Sequence, residues 1–368
     1  MRVNAATVSS PGAPWEVREV ELRTDLAPGD VLVRVVAAGL CHSDEHLRMG
    51  SLPIAYPFVG GHEGSGVVVA VGSMVGTLIP GDRVVFAFRP ACGQCRYCVR
   101  GSSNLCLETM RIFQDASHSY FSNGIEHFTA TSLIGSFASH TVVPEISCIK
   151  VPEQTPLEVA ALLGCAVPTG FSAMERAGEI QAAETALVVG AGGVGINAIQ
   201  AASINGAAEV LVVDNAASRE SIARDFGATQ FFTTVEEVQS YIEDTRGGIG
   251  VDVAVVTVGV PGMVEQVIPL MDRGGRVVLT ALGDPAKLRL EYPIAALVKD
   301  DITVRGSIAG SSNLRADVPR YIALYEAGLL KLDELVTKRY QLSEIEAGYA
   351  DMHEGRSIRG IVVFNVQE

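Results

Sequence analysis

Four of the seven cysteines in this 368-residue chain crowd into one short stretch, as Cys92, Cys95, Cys98 and Cys106. The spacing is C-x2-C-x2-C-x7-C, with few large apolar residues between. Four thiolates so placed can close a tetrahedral shell around one ion, the geometry of structural zinc, which leaves no position for a substrate. Disulfides are the alternative pairing, and the tight spacing counts against them. An iron–sulfur cluster is the sharper rival, because thiolate ligation alone does not name the metal. Zinc here would pin a loop with little core of its own and would contribute stability but no chemistry.

A second candidate set is dispersed. Cys41 stands in Gly39-Leu40-Cys41-His42-Ser43-Asp44-Glu45-His46, His62 in Gly60-Gly61-His62-Glu63-Gly64, and Cys165 in Gly164-Cys165-Ala166-Val167-Pro168-Thr169-Gly170. Two thiolates and one imidazole gathered in a cleft would leave a fourth zinc position open, the mark of a catalytic site. Each residue also has a plain alternative. Cys41 and Cys165 are small enough to be core residues, and His62 to be a hydrogen-bonded structural histidine.

The third signal is Gly190-Ala191-Gly192-Gly193-Val194-Gly195, directly after the apolar run Ala186–Val189. Its first glycine permits a tight turn, Gly192 lets backbone approach a pyrophosphate, and Gly195 lets a helix pack close to a sheet. A lone glycine hexad is weak evidence, but its context strengthens it. The next strand, Glu209–Val213, leads to Asp214, at about the 20-residue spacing from which an acid reaches the adenine ribose hydroxyls. An aspartate there repels a 2′-phosphate, so NAD is expected rather than NADP. Arg219 could partner such a phosphate, or could lie beside the adenosine or on a solvated helix face; Asp214 tips the balance to NAD.

The elements that must position these groups fall into two patterns. The first 150 residues hold short β-branched runs punctuated by Gly and Pro: Val31–Ala37, Gly66–Val71, Arg83–Phe88 and His140–Val143. They predict an irregular, barrel-like β domain. After a Pro- and Gly-rich border, strands alternate with helices. Strands are expected at Ala186–Val189, Glu209–Val213, Ala228–Phe232, Val251–Val256, Arg276–Thr280 and Ile302–Ser307. Helices are expected at Gly193–Asn205, Arg219–Phe226, Val235–Thr245 and Met263–Leu270. That order implies a parallel sheet covered on both faces. The tail from about residue 310, with one or two helices and a final strand Gly360–Phe364, returns to the first domain. The nucleotide domain is thus an insertion.

Composition excludes several classes. Hydrophobic residues at 48% and charged ones at 19% suit a packed core, not a disordered chain. A net charge of −14 offers no broad basic surface, so nucleic acid is not an expected partner. No run of 18 apolar residues and no apolar signal region appear, so neither a membrane span nor a signal peptide is expected. Retained thiolate ligands suit a reducing cytoplasm.

Taken in order, glycine-flanked Cys41 with Ser43 and His46, the GHEGSG run at 61–66, the four-cysteine lobe and the GAGGVG run resemble the zinc-containing medium-chain dehydrogenase/reductase family, the alcohol dehydrogenases, over nearly the full length. The resemblance implies a GroES-like catalytic domain at 1–160 with a zinc lobe at 88–137, a Rossmann NAD-binding domain at 161–308, and a return to the catalytic domain at 309–368. It implies two zinc ions and NAD(H), with Cys41, His62 and Cys165 as catalytic ligands and Glu63 as a carboxylate that adjusts the metal. Ser43 would receive the alcohol proton and pass it through the cofactor ribose to His46. His42 and Arg359 match pyrophosphate contacts. Thr169 and the stretch Thr280 to Leu282 match nicotinamide contacts, and Val258, in a TVG triplet at 257–259 that resembles the NDMA-dependent members, is a further cofactor-binding residue. Leu52 and Phe88 match walls of the alcohol pocket. The reaction implied is reversible oxidation of a primary or secondary alcohol by hydride transfer.

Within the family, LCHSDEH at 40–46, GCAVPTG at 164–170, GVGINAIQ at 193–200 and KLDELVT at 331–337 resemble the actinobacterial NDMA-dependent alcohol dehydrogenases. This implies tightly held NAD(H), recycled in place, with a redox partner as one route. The full-length lobe extension resembles dimeric members, so a homodimer is expected ahead of a homotetramer. A thiol-dependent formaldehyde dehydrogenase, acting on S-hydroxymethyl glutathione or mycothiol, shares the scaffold and is the alternative, with Arg111 as a candidate carboxylate contact. A non-enzymatic dinucleotide-binding protein is the other; the retained ligands count against it. Cys148, His118, His127 and His140 receive no catalytic role.

Overall fold

The computed structural model describes residues 1–114, 120–283 and 287–364, with backbone alone at 112–114; His118 lies outside the described residues. The chain divides into two compact units. One comprises Met1–Cys165, Asn313–Tyr325 and Leu332–Glu368, and the other Ala166–Ser312 with Glu326–Lys331. The first unit extends as far as Cys165, beyond the expected border at 160. Physically, the turn before Cys165 is seated on the strands: a Cβ on Gly164 would stand 2.5 Å from the Phe86 carbonyl oxygen.

In chain order the first unit begins β1 (Arg2–Val8), β2 (Glu16–Leu22), β3 (Asp30–Gly39), α1 (His42–Arg48), β4 (Phe58–Val59), β5 (Ser65–Val71) and β6 (Arg83–Phe86). Next come α2 (Arg96–Val99), α3 (Leu107–Gln114), β7 (Phe121–Ser122), β8 (His127–Ala130), β9 (His140–Pro144), β10 (Cys148–Lys150) and α4 (Leu157–Ala160). The second unit runs α5 (Ala166–Ser172), β11 (Thr185–Val189), α6 (Gly193–Ile204), β12 (Glu209–Val213), α7 (Glu220–Asp225), β13 (Gln230–Phe232) and α8 (Val235–Thr245). It continues with β14 (Val251–Val256), α9 (Met263–Val267), β15 (Met271–Leu279), α10 (Ile294–Asp300) and β16 (Thr303–Gly306). The tail adds α11 (Leu314–Glu326), β17 (Val336–Tyr340), α12 (Ile345–His353) and β18 (Arg359–Val363).

Strands β1, β2, β7, β8 and β4 close a barrel, and β10-β6-β5-β3-β18-β17 form a second sheet in which β9 also pairs with β3. The long strand β3 is apolar almost throughout because it serves two cores. Val31, Val33 and Val35 face one with Trp15, Phe86 and Phe137, while Leu32 faces the other with Phe121 and Phe128. Alternate residues point to opposite faces, so neither face can be polar where both are covered.

The second unit is a six-stranded sheet, β13-β12-β11-β14-β15-β16, in which every pairing is parallel. All five residues of β11 are buried, as expected of a central parallel strand. Together with β12 and β14 it supplies Leu187, Val189, Leu211, Val213, Val251 and Val256 to one core; each such side chain is worth about 1.5–3 kcal/mol when fully buried.

Some boundaries differ from expectation. The expected helix at Arg219–Phe226 is a 3-10 turn, Ala217–Arg219, followed by α7. The helix expected to Leu270 ends at Val267, and a 3-10 turn containing Pro269 follows. Strand β17, reading VTKRY with its two cations half-buried or exposed, was not expected. It pairs parallel to β18 through the crossover α12.

Candidate active site and metal centres

Strand β3 delivers the first ligand. It ends at Gly39, where a Cβ would stand 2.3 Å from Glu63 Oε2 and 3.1 Å from an Arg359 guanidinium nitrogen. Leu40 is pinned by its N–H to the Gly360 carbonyl at 2.9 Å, and Cys41 then takes the extended N-cap position of α1. In that helix, fully buried Asp44 accepts the Gly61 N–H through Oδ1 at 3.0 Å, and its Oδ2 lies 2.8 Å from His62 Nδ1. The imidazole is thereby oriented with Nδ1 toward the carboxylate. Its other nitrogen, Nε2, is buried with no hydrogen-bond partner among the described residues, and so is Glu63 Oε1.

These orphans belong to one cluster. Ligand atoms of Cys41, His62, Glu63 and Cys165 all lie within 4.8 Å of one another, and all four residues are buried. Their proton affinities conflict. A hydrogen bond from Cys165 is the main reason the Cys41 thiol falls well below its ordinary value. The same bond, with burial, pushes Cys165 well above it. Burial drives the Glu63 carboxyl up to about 7, with Arg359 opposing and Cys41 adding to the rise. Burial opposes protonation of His62, but Asp44 and Cys41 overcome it and hold its pKa well above the ordinary range. Several anions gathered in an apolar setting ionise together only around a cation, and a divalent ion deprotonates coordinating thiols outright. The donor set of two sulfurs, one imidazole and an adjustable carboxylate fits zinc.

Neighbouring groups complete this side. Ser43 Oγ lies 3.7 Å from Cys41 Sγ. Arg359, also buried, pairs with Glu63 Oε2. The Phe88 ring meets His62 edge-on with centroids 5.4 Å apart; β6 stops at Phe86, two residues short of the expected Phe88. The His46 carbonyl accepts the Leu52 N–H at 3.2 Å, tying those two residues together. His42 is exposed, with its ring edge-on to His353 at 6.1 Å.

The four-cysteine cluster likewise has all its sulfurs within 4.8 Å of one another. Separations of 4.0 Å (Cys92–Cys98), 3.6 Å (Cys95–Cys98) and 3.9 Å (Cys95–Cys106) are far too long for disulfides. A tetrahedron with zinc–sulfur bonds of about 2.3 Å has edges of about 3.8 Å. Backbone N–H groups of Cys92 and Cys95 donate to the sulfurs of Cys106 and Cys92, each at 3.3 Å, which favours thiolates. Hydrogen bonds led by the Cys98 N–H draw Cys95 down to about 6, while burial first, then neighbouring sulfurs, push Cys98 up to about 12. Without a cation the cluster retains protons, so it fits a metal as the first cluster does.

In the second unit two glycines of the hexad occupy positions that a side chain could not take. Gly190 has φ +94°, and a Cβ on Gly195 would stand 1.7 Å from the Gly190 carbonyl oxygen. Around Gly192, among the described residues other than its chain neighbours, such a Cβ would meet within 4 Å only an Arg219 guanidinium nitrogen at 3.4 Å, which leaves the loop open. Asp214 accepts the Ala191 N–H at 2.7 Å and the Ala216 N–H at 2.9 Å, and Arg219 lies 3.7 Å from it. Arg219 therefore faces the loop, not a solvated helix face, and its Nε is buried without a partner among the described residues. Val258 packs against the Gly190 position, and Thr280 Oγ donates to the Val256 carbonyl at 3.2 Å. Thr169 is buried in α5, whereas Leu282 is 47% exposed.

Sequence reasoning quoted Asp44 but assigned it nothing, and it missed Glu45. The Glu45 carboxylate takes two bonds from Arg48 at 2.6 and 2.7 Å and one from His353 at 3.1 Å, clasping α1 to α12. Only the acidic pair following Cys-His-Ser hinted at either.

Residues 27–153 match the alcohol dehydrogenase GroES-like domain family, and residues 193–327 match the zinc-binding dehydrogenase family. The chain is 41% identical to the NDMA-dependent alcohol dehydrogenase of Amycolatopsis methanolica, covering 99% of both. It is 35% identical to alcohol dehydrogenase B of Mycobacterium tuberculosis, covering 98% of each. An alcohol dehydrogenase zinc-binding domain protein from Burkholderia ambifaria has the same fold, with a TM-score of 0.92, 33% identity and 99% coverage of both chains.

Proposed function

The chain belongs to the zinc-containing alcohol dehydrogenase family and is an NAD-linked alcohol dehydrogenase, and on that footing we propose how its residues share the work. The observation that carries the proposal is the buried Cys41–His62–Glu63–Cys165 cluster with its unpaired His62 Nε2. Cys41, His62 and Cys165 hold the catalytic zinc, and Cys92, Cys95, Cys98 and Cys106 hold the structural one. Zinc in the first site supplies a Lewis acid that lowers the pKa of the alcohol hydroxyl, and NAD supplies the hydride acceptor.

Asp44 selects the tautomer of His62 by accepting a hydrogen bond from its Nδ1–H, which leaves the Nε2 lone pair for the metal. Ser43 takes the proton of the substrate hydroxyl, and half-buried His46 hands it to water. Arg359 restrains Glu63, and it and exposed His42 are assigned to the cofactor pyrophosphate on the family resemblance. Phe88 and Leu52 wall the alcohol pocket. Around the dinucleotide, Gly190 to Gly195 and the first turn of α6 cradle the pyrophosphate. Asp214 takes the ribose hydroxyls with Arg219 beside it, and Thr169, Val258, Thr280 and Leu282 lie toward the nicotinamide.

The resemblance to an NDMA-dependent enzyme over the whole chain supports tight retention of NAD(H), and a redox partner that reoxidises it. We read the assembly as a homodimer. The edge strand β16 is largely exposed, and Ile294 and Val298 on α10 are each 75% exposed. Seven cysteines without a disulfide support a cytoplasmic location; no single helix among the described residues is long and apolar enough to cross a membrane.

Metal analysis of Cys41→Ser should fall from about two zinc ions per chain to about one, with alcohol oxidation abolished. Full activity in that variant would refute the ligand assignment. A panel of alcohols and thiol–formaldehyde adducts, assayed with added NAD or with nitrosodimethylaniline alone, identifies the subclass. Turnover without added NAD supports retention; no dinucleotide released on denaturation refutes it.

A further inference from the structure

A cavity of about 480 Å³ lies in the first unit, lined by three arginines, Arg34, Arg83 and Arg339. Strand register explains how Arg34, Val67 and Arg83 come to line it, with His140 next in the row outside the lining. His140 on β9 stands opposite Arg34 on β3, Arg34 opposite Val67 on β5, and Val67 opposite Arg83 on β6. Directly paired residues share a face, so four strands present a row with two cations, a histidine and no acid. Arg34 and Arg83 start about 10 Å apart, two inter-strand spacings, within mutual reach of their long side chains.

The two cations are under-used. The Arg34 side chain makes no hydrogen bond or ion pair to any described residue. Burial first, and the uncompensated Arg34 charge second, hold the His140 pKa below its ordinary value. Arg83 donates one bond, to the Thr155 carbonyl at 2.8 Å, while its Nε is shielded from water and unpaired among the described residues. Arg339 differs, because Glu158 neutralises it at 2.6 Å. Asp333, the other acid in the lining, accepts the Tyr325 hydroxyl at 2.7 Å. Two arginines facing one space repel each other, a cost that a chain of net charge −14 had ample acids to relieve.

We propose that this cavity binds a small organic carboxylate, with Arg34 and Arg83 donating to its oxygens and Val36, Val67 and Leu157 covering its hydrocarbon part. The two free arginines set against Asp333 leave a balance suited to a monoanion. Glu158 and Asp333 in the wall disfavour a phosphate dianion, and the planar fork of arginine matches a carboxylate in two-point contact. The wall helix α4 is tied to the sheet by Ser65 Oγ donating to the Leu157 carbonyl at 2.5 Å. The site uses none of the residues assigned to the metals, the proton path or the dinucleotide.

The test is a fluorine NMR titration of zinc-loaded enzyme with 4-fluorobenzoate, and inorganic phosphate as competitor. Binding should saturate, and Arg34→Met and Arg83→Met should each weaken it at least about tenfold, the scale of one lost charge-assisted contact. Both variants should retain wild-type kcat and zinc content. Cys41→Ser should bind the probe as the wild type does. Unchanged affinity in Arg34→Met, a variant of a half-buried side chain expected to fold normally, overturns the proposal. So does loss of binding in Cys41→Ser, which would place the probe at the metal cluster. Displacement by phosphate at lower concentration than by unlabelled benzoate would overturn the carboxylate assignment.

Discussion

Replacing Asp44 by Asn should cost the catalytic metal its grip while sparing the structural one. Both neighbours of Asp44, the Gly61 N–H at 3.0 Å and His62 Nδ1 at 2.8 Å, are donors to a carboxylate that accepts on both oxygens. An amide offers one acceptor and one donor. With its oxygen toward His62, its NH2 opposes the Gly61 N–H, and a buried donor goes unsatisfied at about 1–3 kcal/mol. With its NH2 toward His62, Nδ1 must accept, the ring proton moves to Nε2, and the metal loses its lone pair. Each outcome should weaken the site by about 10- to 100-fold, the usual effect of removing a ligand's orienting partner. The assay is zinc per chain after dialysis against graded chelator, with alcohol oxidation followed in parallel. The variant should release one ion at a correspondingly lower chelator strength and hold the other through the wild-type range. If it keeps both ions over the full wild-type range with unchanged kcat, the tautomer argument is wrong.

Gly195→Ala would place a methyl 1.7 Å from the Gly190 carbonyl oxygen, and backbone cannot yield as a side chain can. NADH affinity, read by fluorescence titration, should fall at least about tenfold, and unaltered affinity in a folded variant would contradict the close-packing role. Asp214→Ser should raise NADP use relative to NAD in kcat/KM, and should weaken NAD too because the Ala191 and Ala216 N–H groups lose their acceptor; an unchanged ratio would remove Asp214 as the discriminator. Hydrogen bonds from Lys338, then Tyr340 and Arg356, hold the Asp351 pKa below its ordinary 3.8. A depressed carboxylate stabilises the fold above its unfolded pKa and loses that contribution as pH falls through the folded one. Asp351→Asn should therefore melt below the wild type at neutral pH, with the gap closing below about pH 4; a gap independent of pH would show that charge is not the cause.

Local features were legible in the sequence, and convergent ones were not. The four-cysteine site sits within one loop, so spacing alone proposed it, and the sulfur separations agree with a tetrahedron. The glycine hexad was equally local as a pattern, and its tightest contact, Gly195 against the Gly190 carbonyl, spans only five residues. Cys41, His62 and Cys165 meet only because β3, the loop before β5 and the turn after α4 converge, and nothing in their spacing encodes that; family resemblance joined them. Asp44 escaped notice because its role depends on the direction of a side chain, not on its type. Strand β17 escaped because VTKRY carries cations on a half-covered face, where the alternation is weak. For Arg219 the sequence left a place beside the adenosine and a solvated helix face both open, because the 3-10 turn before α7, which sets its side chain near Asp214, carries no clear signal.

Strand β3 buries one core on each face and stops two residues before Cys41. A slip of one residue would turn Leu32 and its valine neighbours to the wrong cores and carry Cys41 along by about 3.4 Å. Zinc–ligand bonds tolerate displacements of only about 0.2 Å. The strand thus acts as a gauge with whole-residue graduations, and only a chain whose two hydrophobic cores are both in register can present the first ligand at bonding distance. Metal uptake at this centre becomes an inspection step for the β domain: a chain that has packed β3 out of register remains without its catalytic ion, and so without activity.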